Sequence, residues 1–132
     1  MTKAEMIISV VESLGYKPQV GDEGDIRIRY QMKNIFFMVG QEDEQYVAVL
    51  FPWFSDVHEG EEALALATCN KMNREMRLVK MCIDQEMKGV SASCEFCYTD
   101  MDSLKSNVEH SLDILGIVRS TYLAVRSEFT DC

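Results

Sequence analysis

The stretch from Ala63 to Tyr98 constrains the fold most, because its hydrophobic pattern changes from a helical period to a strand period. The first part predicts a helix that ends near Met76. Two strands are predicted next, over Leu78 to Asp84 and Val90 to Tyr98, with a turn around Glu86 to Gly89. One face of the second strand carries Val90, Ala92, Cys94, Phe96 and Tyr98. We therefore expect a helix followed by an antiparallel strand pair.

A helix and a strand open the chain. Thr2 and Glu5 have the spacing of a capping box, and apolar residues at helical spacing then continue to Leu14. From Ile26 to Met32, apolar and polar residues alternate, which predicts a half-buried strand. Lys33-Asn34 can form the tight turn after it.

Two further strands, Ile35 to Val39 and Gln45 to Phe51, are apolar on both faces. Pro52 cannot donate to a sheet ladder, so the second of them ends there or lies at a sheet edge. Either helices of this chain cover both faces, or one face is offered to a partner. The candidate partner-binding residues are Phe36, Met38, Val49, Phe51, Trp53 and Phe54.

A long amphipathic helix is predicted at the end of the chain, with a cap formed by Thr99 and Asp102. Its apolar stripe consists of Leu104, Val108, Leu112, Leu115, Val118, Tyr122 and Val125. Continued to Glu128, the helix would be about 40 Å long, and Gly116 would weaken it locally. The element order is α-β-β-β-α-β-β-α, and its short turns predict antiparallel pairing in one α+β domain over residues 1–132.

The charge of the chain disfavours two classes of partner. With 22 acidic and 13 basic residues, the formal net charge is −9. Such a surface repels phosphate backbones and anionic lipid headgroups, so we expect neither nucleic acid nor a membrane as the partner. Five cysteines without regular spacing, and a sequence without an export signal or a membrane-spanning apolar run, favour free thiols in the cytoplasm.

The motif Cys94-Glu95-Phe96-Cys97 has the spacing of a zinc or redox pair. It lies in a predicted strand, where residues three apart point to opposite faces, so two ordinary thiols are the better interpretation. The two histidines, His58 and His110, belong to no metal or catalytic spacing. We expect no metal, no cofactor and no catalytic residues, and therefore not an enzyme.

The helix end Asn70-Lys71-Met72-Asn73, the two strands after it and the Leu- and Ile-rich final helix resemble the YbjN-like family of small bacterial proteins, often labelled sensory transduction regulators. Element order is similar over nearly the whole chain, and residue-level likeness is confined to the middle third. The resemblance implies a five-stranded antiparallel sheet with helices packed against it, like type III secretion chaperones. It also implies dimerisation and a role in protein binding or regulation, without known catalysis.

Three functions are weighed. The preferred one is a cytoplasmic, chaperone-like protein-binding module, expected as a homodimer, that holds an apolar segment of a partner or client protein. The alternative is a small-molecule-sensing regulatory domain with a pocket between the sheet and the C-terminal helix, lined by Tyr30, Tyr98 and Tyr122. An enzyme is the third, and no acid, base or nucleophile in the sequence supports it.

Overall fold

A computed structural model describes residues 1–130 and contains three helices and one six-stranded sheet. The elements are α1 (Lys3–Ser13), β1 (Gln19–Val20), β2 (Ile26–Tyr30), β3 (Lys33–Met38), β4 (Tyr46–Asp56), α2 (Glu62–Glu75), β5 (Val79–Ile83), β6 (Gly89–Cys97) and α3 (Met101–Thr130). All neighbouring strands are antiparallel, in the order β1-β2-β3-β4-β6-β5. The predicted α+β class is confirmed.

The sheet has six strands where five were predicted. The additional strand, β1, pairs Gln19 with Arg27 and Val20 with Ile26 at the edge of the sheet. Its two residues are both exposed. Two residues are too few to show a repeated alternation of apolar and polar side chains, so the pattern that predicts the other strands cannot detect this one.

One face of the sheet and all three helices form a single core. On α3 the predicted stripe is buried from Leu104 to Val125, and this helix lies over β4 and β6. α1 and α2 flank α3. The predicted face of β6 from Val90 to Tyr98 is likewise buried. Gly116, expected only to weaken α3, allows close approach of the β2–β3 turn, because a Cβ there would lie 2.9 Å from Gln31 Oε1.

The caps of the first and last helices differ in how well the sequence predicts them. The Thr2–Glu5 capping box is present in full. At α3, however, the predicted Thr99–Asp102 pair does not form. Asp100 accepts a hydrogen bond from Ser103 N at 2.8 Å, and Ser103 Oγ accepts one from Asp100 N at 3.1 Å. A serine hydroxyl thus takes the role that a capping box usually gives to Glu or Gln.

The turn between β2 and β3 lies two residues earlier than predicted. Gln31 and Met32 occupy it with φ angles of +48° and +67°, while Lys33 and Asn34 already belong to β3. Two consecutive positive φ angles are typical of a type I′ hairpin turn, which usually carries Gly or Asn. Gln31 and Met32 are not usual turn residues, so the residue types predict the turn at Lys33-Asn34 instead.

Strand β4 continues past Pro52 to Asp56 in the interior of the sheet, whereas the prediction ends it before Pro52 or places it at a sheet edge. Its register to β6 changes between the pairs Phe51–Ala92 and Ser55–Val90, so three residues of β4 lie opposite one residue of β6. This is a β-bulge. A bulge tolerates proline because it interrupts the hydrogen-bond ladder that proline cannot join.

The edge strand β5 is anchored to α2 by one side chain. Asn73 Oδ1 accepts a hydrogen bond from Met81 N at 2.7 Å, and Asn73 Nδ2 donates one to Met81 O at 3.2 Å. The amide therefore pairs with the strand backbone as a neighbouring strand would. Asn73 therefore has a structural role at the end of α2, directed at the strand and not at the turn before it.

Replacing Asn73 tests this anchor. We expect Asn73→Ala to lower the free energy of unfolding by about 1–2 kcal/mol more than Asn70→Ala, because only Asn73 loses two hydrogen bonds to backbone. Both changes give the same gain in helix propensity, so their difference isolates the bonds. Urea denaturation measures both. Equal effects of the two substitutions would contradict the assigned role.

Candidate binding surface on the open face of the sheet

One face of the sheet is covered by no helix within residues 1–130. Along each strand, buried residues that belong to the core alternate with exposed or half-buried ones. The second set points away from the helices, and we call it the open face. Its residues are Arg27, Arg29, Asn34, Phe36, Met38, Tyr46, Ala48, Leu50, Lys80, Cys82, Ser91, Ser93, Glu95 and Cys97.

The middle of the open face is apolar. Phe36 is paired with Leu50, and Met38 with Ala48, on the neighbouring strands β3 and β4. Met38 is 43% exposed, and the other three are half-buried. We call these four residues the apolar centre. Cross-strand neighbours of this kind form a continuous hydrophobic surface without any charge in it.

The six predicted partner-binding residues do not lie together. Val49, Phe51 and Phe54 are buried, with exposures of 0%, 8% and 7%. Phe54 packs edge-on against Tyr122 of α3, with ring centroids 5.5 Å apart. These three residues are therefore part of the core and unavailable to a partner.

The other three predicted residues, Phe36, Met38 and Trp53, lie on the open face or at its end. Sequence reasoning missed Ala48 and Leu50, which share that face. The signal was present, because strict alternation from Val47 to Phe51 assigns odd-numbered residues to one face and even-numbered residues to the other. Phe54 escapes this rule because the bulge shifts the alternation.

Trp53 is held rigidly at the end of the open face. Its backbone has a φ of +46°, its N–H donates to Ser91 Oγ at 2.8 Å, and its indole Nε1 donates to Asp56 Oδ1 at 2.6 Å. A Cβ at Gly89 would overlap the indole ring, so glycine is required beneath it. The side chain is still 51% exposed, and it presents a fixed aromatic surface to solvent.

A polar network borders the apolar centre. Glu95 is paired with Lys80 at 2.5 Å and accepts a hydrogen bond from the Tyr46 hydroxyl. The bond from Lys80 and the bond from Tyr46 lower the pKa of Glu95, and the same carboxylate raises the pKa of Tyr46 to about 12. With these pKa shifts, the Glu95 carboxylate is ionised and the Tyr46 phenol is neutral at neutral pH. Glu95 is thus a fixed anion and not a proton donor.

The four cysteines within residues 1–130 are free thiols and are not grouped into a site. Cys94 is buried and Cys97 is exposed on the opposite face, as the strand assignment predicts. Burial raises the pKa of the Cys69 and Cys94 thiols to about 11, which suppresses the reactive thiolate. Cys132 lies outside the described residues. Within residues 1–130, no three His, Cys, Asp or Glu side chains are grouped as metal ligands would be.

The three tyrosines of the alternative pocket do not meet. Tyr30 borders a cavity of about 160 Å³ with Tyr16 and Leu112, between the end of α1 and α3. Tyr98 borders a different depression beside the start of α1. Tyr122 is 1% exposed in the core. The prediction that these three tyrosines line one common pocket between the sheet and the C-terminal helix is therefore wrong.

A family model described as "YbjN: Putative bacterial sensory transduction regulator" matches residues 3–121. The chain belongs to the YbjN family. The resemblance carried by Asn70 to Asn73 and the following strands is confirmed.

Two solved structures share the YbjN fold of this chain. The first is described as "YbjN, a putative transcription regulator from E. coli"; it has a TM-score of 0.70 and 8% identity, and the match covers 94% of this chain and 91% of that one. The second is an uncharacterized protein from Methanothermobacter thermautotrophicus, with a TM-score of 0.51, 12% identity and coverages of 91% and 99%. At these identities the likeness shows the fold alone. No curated protein matches the chain.

In the part of this YbjN-family chain that the structure describes, no helix is suited to crossing a bilayer. None of its helices combines the required length with the required apolar character.

Thiol labelling tests the assignment of faces. In the native protein we expect iodoacetamide to modify Cys82 and Cys97 rapidly, and Cys69 and Cys94 only after unfolding, because burial protects the last two and raises their pKa. Peptide mass spectrometry after timed labelling reads each site separately. Equal rates at Cys94 and Cys97 would contradict the face assignment of β6.

Proposed function

We propose that this chain is a non-catalytic, cytoplasmic, chaperone-like protein-binding module that holds an apolar segment of another protein on its open face. The observation that supports the proposal is the apolar centre around Phe36 and Leu50, left uncovered by the helices, with the exposed indole of Trp53 at the end of the same face. An apolar middle with a polar rim is the usual anatomy of a protein interface. A regulator that acts by binding proteins is consistent with the family description.

The composition of the open face favours a varied partner. Met38 is flexible and polarizable, so it can repack around different apolar side chains. Trp53 is rigid and aromatic, a type of side chain that often dominates binding energy. Together they provide one adaptable and one fixed contact.

We further propose that the open face, and not a sheet edge, is the contact surface. At the β5 edge, Asn73 already occupies the N–H and C=O of Met81, so an added strand would find that position taken. At the other edge, β1 has only two residues. Strand addition therefore has little backbone to pair with, whereas side-chain burial on the open face meets no such obstacle.

A second copy of the chain is the other occupant that this face would accept, and we propose a homodimer that buries the open face when no partner is present. An isologous two-fold contact needs one self-complementary surface. The apolar centre has no charge, and the Lys80–Glu95 pair beside it is internally neutral. Two copies, each with a net charge of −9, could approach there with less repulsion than elsewhere.

Catalysis and nucleic-acid binding are not part of the proposal. Within residues 1–130, the lowered pKa of Glu95 disfavours a role as proton donor at neutral pH. The raised pKa values of the Cys69 and Cys94 thiols are the reverse of an activated nucleophile. The net charge of −9 disfavours nucleic acid. No observation favours the sensing pocket of Tyr30, Tyr98 and Tyr122.

Charge substitution on the open face tests the proposal. We expect Met38→Asp and Leu50→Asp each to weaken self-association or partner capture about tenfold or more, because a buried unpaired carboxylate is costly at an interface. Sedimentation equilibrium measures self-association. A pull-down from cytoplasm of the source organism, read by mass spectrometry, measures capture of one recurrent partner.

The matched control is Ile117→Asp, which places the same charge on the solvent side of α3, where Ile117 is 55% exposed. It should leave both measurements unchanged. A monomeric wild type that captures no recurrent partner would contradict the proposal. So would equal effects of Met38→Asp and Ile117→Asp. Circular dichroism confirms that each variant is folded before binding is compared.

A further inference from the structure

Strands β3 and β4 separate at one end and leave a cleft. They pair only from Phe36 to Met38, although β3 begins at Lys33. Beyond Phe51, the bulge at Pro52 shifts the register of β4 relative to β6. A cavity of about 530 Å³ lies there, bordered by the β2–β3 turn, the bulge and α3. It is distinct from the apolar centre, although Phe36 borders both.

Three cations line this cleft, one from each of three elements. Arg29 comes from β2, Lys33 from β3 and Arg119 from α3. No Asp or Glu lines the cleft. This grouping is notable in a chain with 22 acidic and 13 basic residues, where most cations have carboxylates near them in sequence.

Neutral oxygens orient each of the three cations. Arg29 Nη1 donates to Asn34 Oδ1 at 3.1 Å, and Lys33 Nζ donates to Gln31 O at 3.2 Å. Arg119 Nε donates to Phe54 O at 3.2 Å. None of them joins an ion pair found within residues 1–130. These hydrogen bonds therefore orient the three positive charges, and no carboxylate within residues 1–130 neutralises them in an ion pair.

The remaining donors define the ligand chemistry. Toward the residues that the structure describes, Arg119 donates only through Nε, which leaves its two terminal nitrogens for a bidentate contact with a carboxylate or phosphate. Phe36 and Pro52 add apolar surface to the same cleft. From these contacts we propose that the cleft binds a small organic anion, with a phosphate or carboxylate head on the three cations and an apolar body against Phe36 and Pro52.

The size and charge of the cleft favour a small molecule over a polyanion. A volume of about 530 Å³ lies within the range of small-molecule sites. A nucleic acid would meet the net charge of −9 over the rest of the surface, whereas a small anion meets mainly the local cations. The proposal does not depend on the protein-binding role of the open face.

An NMR titration of the ¹⁵N-labelled chain in phosphate-free, low-salt buffer tests the proposal, with phenyl phosphate, benzoate and inorganic phosphate as probes. We expect phenyl phosphate or benzoate to shift the amide signals of Lys33, Phe36 and Phe54 in a saturable way. Inorganic phosphate should bind more weakly, because it lacks the apolar body. The tighter of the two aromatic probes identifies the preferred head group.

Two charge-removing variants and two controls complete the test. Arg29→Gln and Arg119→Gln should each weaken binding of the tighter probe about tenfold, since each removes a charge-assisted hydrogen bond. Arg77→Gln removes the same charge from an exposed position outside the cleft, and Met38→Asp alters the apolar centre; both should bind as wild type does.

Three results would overturn the proposal. The first is the absence of saturable shifts at the cleft with every probe, and the second is equal loss of binding in Arg77→Gln and Arg119→Gln. The third is binding of inorganic phosphate as tight as that of both aromatic probes, which would remove the apolar body from the assignment. Normal probe binding by Met38→Asp, together with lost partner capture, would separate this site from the open face.

Discussion

The burial of α3 against one face of the sheet is the constraint on which the rest of the structure depends. Seven apolar residues from Leu104 to Val125 lie against alternate residues of the central strands β4 and β6. α1 and α2 pack beside α3, so the buried apolar residues of all three helices lie on that side. Because β3 and β4 carry apolar residues on their other face as well, one-sided helix packing leaves the apolar centre exposed.

The bulge at Pro52 in β4 determines where the side chains of Trp53 and Phe54 lie in this two-layer arrangement. It returns Phe54 to the core, where the ring packs against Tyr122, and it places Trp53 at the end of the open face. The pairing of β3 with β4 ends next to this bulge, and the cleft lined by Arg119 lies there. One local departure from strand geometry therefore lies beside both proposed binding regions, in keeping with the frequent occurrence of bulges beside functional sites.

Periodic features of the fold were predictable from the sequence. The stripe of α3 and the buried face of β6 follow directly from spacing, and the Thr2–Glu5 cap follows from a known pairing of residue types. Features without a period were not predictable. The two-residue strand β1, the Asp100–Ser103 cap and the positive φ angles at Gln31 and Met32 each depend on contacts or backbone geometry that composition does not encode.

The candidate site was predictable only in part, for a related reason. The two-sided apolar character of β3 and β4 indicated surplus hydrophobic surface, but three of the six candidate residues, Val49, Phe51 and Phe54, are buried. Alternation would have selected Leu50 and Ala48. The cationic cleft brings together Arg29 and Arg119, which are far apart in the chain, and no linear spacing could join them.

Site-specific photo-cross-linking in the living source organism tests whether the open face is the binding surface. A benzophenone side chain is placed at Met38 on the open face, or at Ile117 on the outer side of α3 as the control. We expect a discrete cross-linked product from position 38, either with a partner protein or with a second copy of the chain, and none from position 117. Products of equal yield from both positions, or none from position 38, would contradict the assignment of the open face as the binding surface.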